Sequence, residues 1–230
     1  MSTRLSSRAA IAGVLFFASG ATAEPEPGWT LFAGFASTQT SLVDMDGNLV
    51  KTWPSGYTPA ASVYLLDDGS ILRPAADALL PGPNGGGGGG RIQIIGWDGS
   101  LVWDYVLASA TVRQHHDVIM LPSGNVLAIA WEAHSAADAI AMGRNPATVN
   151  QQLYSETIYE IEPTGPTTGT VVWTWRVWDH LVQNRDEKHP NFGEPSEHPD
   201  RVDINFSPNG SSADWLHFNG LDYNEELDQI

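Results

Sequence analysis

Two short runs set an imidazole beside a hydrogen-bonding side chain: His115-His116-Asp117 and, further along, His217-Phe218-Asn219. Near neutral pH an imidazole can attack an electrophile, take a proton or give one back. Aligning Leu121 with Tyr223 sets His115 opposite His217 and Asp117 opposite Asn219. On a strand, residues i and i+2 share a face, so both pairs are expected to point the same way from equivalent places in a repeat. Taken singly, each pair is an ordinary strand-start histidine bonded to nearby backbone. Two pairs in register point instead to one shared site, with imidazoles grouped around a small anion. Arg113, just before the first pair, and His180 are further candidates for lining it, against the plainer readings of a solvated strand-end arginine and a solvated loop histidine. Two histidines and a carboxylate can also bind iron or zinc, but no run here supplies a complete ligand spacing, and no metal is expected.

The elements that must position these residues repeat. Asp46-Gly47-Asn48-Leu49-Val50 with Trp53 returns 52 residues later as Asp98-Gly99-Ser100-Leu101-Val102-Trp103, and more loosely as Gly169-Thr170-Val171-Val172-Trp173. Asp-Gly suits a hairpin, because glycine tolerates positive φ and aspartate bonds nearby backbone. Val63–Leu72 realigns without a gap on Val118–Leu127, 55 residues on, each reading as strand, turn, strand. Two motifs moving together at one period predict an all-β fold, a β-propeller with two hairpins per blade. A β-sandwich with similar turns would need no fixed period.

The third copy comes late. The excess falls in residues 133–155, where Ala136, Ala137, Ala139 and Ala141 suggest an inserted loop with one helical turn. Residues 179–214 form a second long loop, polar and rich in proline, asparagine and histidine, of the kind that carries function. Six glycines from Gly85 to Gly90 allow close backbone passage or flexibility, and no Lys-Ser/Thr follows to make them a phosphate loop. About four blades are expected, the last just beginning its second strand at Leu227–Ile230, so the propeller is expected to be open and the chain truncated.

Composition narrows the setting. Arg4 and Arg8, an apolar run from Ala9 to Ala18 and Ala21-Thr22-Ala23 describe a cleavable signal over residues 1–23, which predicts a periplasmic or secreted protein. The apolar run is too short to span a bilayer. The full chain carries −16; without the two leader arginines it carries −18, which argues against nucleic acid and anionic membrane as partners. The absence of cysteine excludes disulfides, thiolate chemistry and Cys-ligated zinc.

Together these residues resemble the bacterial arylsulfotransferase family. The likeness is carried by the turn around Val43–Trp53, by His115-His116-Asp117 with Leu121–Leu127, and by Val172-Trp173-Thr174-Trp175. It continues through Asp179-His180-Leu181, Asp214-Trp215, His217-Phe218-Asn219 and Asp222-Tyr223-Asn224. The resemblance implies a six-bladed propeller that moves sulfate from an aryl sulfate to a phenol through a sulfated histidine, with no nucleotide donor and no cofactor. By that likeness His217 and Asn219 match sulfate-contacting residues, and His115 or His116 matches an earlier site histidine. The family's nucleophilic histidine and site arginine have no match here. Gly220 stands where serine is common, and the N-terminal β-domain and disulfide of better-known members are missing, so these 230 residues alone are expected to be inactive. Two other classes stay open. Glu162-Pro163-Thr164-Gly165 leading to Trp173 is similar to the docking motif of quinone-cofactor dehydrogenase propellers, and the tryptophan-rich surface suits a non-catalytic binding propeller.

Overall fold

The computed structural model describes residues 26–206 and 212–230; the expected signal lies outside them. Antiparallel sheets dominate. Strands β1 (Thr30–Ala33), β2 (Gln39–Val43) and β3 (Leu49–Pro54) form the first, in that order. The second joins β4 (Thr58–Pro59), β6 (Ile71–Ala76), β7 (Gly90–Ile95) and β8 (Leu101–Val106), with β5 (Tyr64–Leu65) also paired to β6. The third runs β9 (Val112–Met120), β10 (Val126–Ser135), β11 (Gln152–Gly165), β12 (Thr168–Arg176). A small parallel pair, β13 (Leu181–Val182) with β14 (Val202–Asp203), lies within the second long loop. The all-β expectation holds. None of the sheets closes on itself.

Local chemistry explains the hairpins. Asp44 Oδ1 accepts from the Asp46 and Asn48 backbone N–H groups and leaves Gly47 at φ 80°. One repeat later Asp98 Oδ1 accepts from Ser100 N–H, with Gly99 at φ 87°. These side-chain bonds close the turns at the positive φ that glycine alone adopts freely. Pro74 sits inside β6, yet its missing N–H removes nothing from the ladder. Its partner edge is split there, β4 pairing with Ala75 and Ala76 and β5 with Ile71 and Leu72.

Tryptophans tie the sheets together. Trp53 packs with Leu42, Ile71 and Ile95 between the first and second sheets. Trp103 packs with Leu72, Ile92, Val126 and Ile161 between the second and third. Its indole N–H donates to the Thr168 carbonyl at 3.0 Å, and Asp104 N–H donates to Pro166, so one hairpin end is bonded across to the next sheet. Each buried ring removes roughly 150–250 Å² from water.

The first insert contains a helix, α1 (Ala136–Ala141), started by a reciprocal Ser135–Asp138 capping box. Arg144 behind it is fully buried and donates to the carbonyls of Ile204, Phe206 and Thr148, clamping the second long loop to the first. The expected strands near the end do not form. No strand follows β14 among the described residues; Leu227 and Asp228 lie in a turn closed by the Asn224–Gln229 bridge, with Ile230 just past it. Among the described residues, the only β-bridge from residue 212 on to the rest of the fold joins Asp214 to Tyr154.

Candidate active site

The site is built on a flaw in β9. Gln114 pairs with Ala130 and Val118 with Ala128, so His115, His116 and Asp117 together oppose the single residue Ile129. This bulge overturns the expected sharing of a face by His115 and Asp117, because the alternation of side chains fails where extra residues enter one strand. His116 takes up the distortion with φ 49°. It is held there by its own N–H donating to Gly87 (2.9 Å) and by its carbonyl accepting from Ser62 N–H (3.3 Å).

His115 is turned inward and buried. Its ring lies flat on Trp131 of β10, with centroids 3.9 Å apart and planes 8° from parallel. Nε2 meets Oε2 of Glu156 on β11 at 2.8 Å, both side chains being fully excluded from solvent. Nδ1 meets Nδ1 of His116 at 3.0 Å. The other carboxylate oxygen of Glu156 accepts from Phe218 N–H at 3.0 Å, which draws the C-terminal segment over the third sheet.

That segment brings His217. It is not on a strand, and its φ of 66° is again in the left-handed region. Its ring stands edge-on to His116 at 4.7 Å and 5.8 Å from His115. Asp214 Oδ2 fixes its Nδ1 at 2.5 Å. His116 and His217 are half-buried, so the open side of the cluster belongs to them.

The glycine run passes directly over these rings. A turn from Gly85 to Gly88 brings Gly87 against the face of His116, and a Cβ there would lie 2.2 Å from Cε1. Of the two readings of the run, close backbone passage is the one observed.

Burial governs the electrostatics. It pushes His115 down to about 3, helped by repulsion from His217, and it lowers His116 for the same reason. The same burial pushes the Glu156 carboxyl up to about 8 against the pull of the Phe218 N–H. His115 and His116 are therefore neutral rings joined by a hydrogen bond.

The remaining expected residues fall elsewhere. Arg113 is buried and donates to the carbonyls of Asp77, Leu80 and Gly89, bracing the glycine run from behind. Asp117 accepts from Tyr64 O–H, Val118 N–H and Leu221 N–H, so it ties the C-terminal segment to β9. His180 stacks on Trp175 at 5.0 Å. Asn219 is exposed, two residues past His217 but not on a shared strand face. Among the described residues no group of three or more His, Cys, Asp or Glu side chains is arranged for a metal ion. Sequence reasoning missed Glu156, Trp131 and Asp214. Only Asp214, three residues before His217, had a local signal.

The family model described as Arylsulfotransferase (ASST) matches residues 36–230, which include every residue of this cluster. The chain belongs to the arylsulfotransferase family. A comparison with curated proteins found no match. Among solved structures, the chain is similar to a protein of unknown function from Bacteroides caccae, at 18% identity and a TM-score of 0.40, over 65% of this chain and 41% of that one. The chain thus spans well under half the length of that structure. A Cβ on Gly220 would come no closer than 3.7 Å to Asp117 Oδ2, so crowding does not impose glycine at that position.

Proposed function

We propose that the protein transfers a sulfuryl group from an aryl sulfate to a phenol without a nucleotide donor, and that His115, His116 and His217 form part of its site. The observation that carries this reading is the convergence of three imidazoles from segments about a hundred residues apart, two of them accessible and all held by carboxylates or by one another. The family membership supports sulfotransferase chemistry in general. Neutral imidazole N–H groups can hold the non-bridging sulfate oxygens and protonate a leaving phenolate. On the same reading the sheets are blades of a six-bladed propeller, the protein is exported, and the sulfuryl group is carried by a histidine other than these three.

The test, run on the full-length protein that carries these residues, is transfer from 4-nitrophenyl sulfate to an acceptor phenol, following nitrophenolate release together with formation of the new ester. His116→Ala and His217→Ala should each lower the rate at least a hundredfold while the far-ultraviolet spectrum of a folded β protein is kept. Undiminished transfer in both folded variants would remove the reading.

A further inference from the structure

The hydrogen bonds behind the accessible rings form a single line: Glu156 Oε2 to His115 Nε2 at 2.8 Å, then His115 Nδ1 to His116 Nδ1 at 3.0 Å. Each link holds one proton, and each neutral ring carries one N–H. The line therefore has only two neutral-ring arrangements. If Glu156 is protonated, it donates to His115 Nε2. His115 then bears its proton on Nδ1 and donates to His116 Nδ1, which leaves His116 with N–H at Nε2. If Glu156 is ionised, every proton sits one place over and His116 Nε2 is a bare lone pair. That nitrogen has no hydrogen-bond partner among the described residues.

We propose that Glu156, acting through His115, is the positioning residue that decides whether Nε2 of His116 donates or accepts a proton. In the use this implies, the aryl S–O bond breaks as sulfur bonds to its acceptor, and the phenolate takes the Nε2 proton of His116. The His115 Nδ1 proton moves to His116 Nδ1, the Glu156 proton moves to His115 Nε2, and the negative charge comes to rest on Glu156. An incoming phenol resets the line by giving its proton to Nε2 in the second half-reaction. Only that use rests on the sulfotransferase reading; the line itself is a property of the folded chain.

Other ionisable groups facing the line are few. Among the described residues, β9 contributes the two histidines and β11 Glu156, while the C-terminal segment contributes Asp214 and His217, bonded to each other. Trp131 and the glycine turn add none.

The experiment is histidine-selective 15N NMR of the protein across pH 6–10, with no substrate present. His116 should pass from the Nε2–H to the Nδ1–H tautomer as pH rises through about 8, where Glu156 ionises. In Glu156→Gln, Phe218 N–H keeps the amide oxygen at the Oε1 position, so the NH2 faces His115 and holds His116 as Nε2–H throughout. One unchanging His116 tautomer in the wild type, or an unaltered switch in Glu156→Gln, overturns the proposal. If the variant does not fold, the wild-type titration decides alone. Since the readout needs no aryl sulfate, a tautomer switch without transfer activity would sink the substrate reading and leave the line standing.

Discussion

Gly87 and His116 touch so closely that no side chain fits between them: a Cβ on Gly87 would fall 2.2 Å from Cε1 and 2.4 Å from Nδ1 of the ring. A Cβ on the neighbouring Gly86 would come no nearer than 3.9 Å to His217. Gly87→Ala should therefore displace His116, while Gly86→Ala leaves it in place. Gly87 also stands at φ 69°, which adds about 1 kcal/mol of backbone strain for alanine. The check is the His116 imidazole resonance together with transfer rate. Equal behaviour of the two variants would show that the turn does not seat the ring.

Glu156 should make stability fall on the alkaline side. Its folded carboxyl titrates near 8 against 4.5 when unfolded, so between those values the folded state holds the extra proton and stability declines with rising pH. His115, depressed from 6.5 to about 3, acts oppositely, and stability is lost as pH falls through that window. Where the windows overlap the slopes cancel, which leaves a plateau between pH 4.5 and 6.5 from this pair. From pH 6.5 to 8 the wild type should lose about 2 kcal/mol relative to Glu156→Gln. Urea unfolding at several pH values measures it, and parallel curves for the two proteins would contradict it.

Asp214→Asn should slow transfer without unfolding the chain. The carboxylate holds Nδ1 of His217 at 2.5 Å from a half-exposed position, and a hydrogen bond to a charged group contributes about 1.5–3 kcal/mol. If that bond orients the ring for reaction, the rate falls roughly ten- to hundredfold. A wild-type rate in the folded variant would show that His217 needs no orienting partner.

Arg144→Ala should loosen the second long loop while the sheets persist. The carbonyls of Ile204 and Thr148 and a face of Trp215 lose their partner at once, while the Phe206 carbonyl keeps the Trp215 indole N–H, and a buried carbonyl left unpaired costs about 1–3 kcal/mol. Limited proteolysis should then cut between residues 183 and 206, and an unchanged digest would place the clamp elsewhere.

The hairpins could be read from sequence because their cause is local: Asp44 and Asp98 bond within four residues, beside glycines at fixed offsets. That the two histidine runs belong together was legible too, since the structure gathers His115, His116 and His217, but not their register on equivalent strands. What failed was the assumption of regular strands around them. Nothing within Arg113–Val118 announces a bulge, since its causes are Gly87, Gly88 and Ser62, distant in sequence and bonded to it in space. Glu156 was invisible for a similar reason. An acid between Ser155 and Thr157 in a strand reads as solvent-facing, and only the inward turn of His115 and the distant Phe218 N–H supply the partners that let it be buried. The misplaced strand at His217 has its reason in pairing: among the described residues, a single bridge is all that joins that segment to a sheet.

The left-handed backbone at both His116 and His217 sets folding against chemistry at two touching positions. Such conformations cost a non-glycine residue about 1–3 kcal/mol each, and glycine or asparagine would adopt them more readily. Selection for heat resistance alone should therefore favour those replacements at residues 116 and 217, erasing the accessible imidazoles one after the other. A lineage that lost its substrate would be expected to drift the same way, keeping the sheets and becoming sturdier as it fell silent.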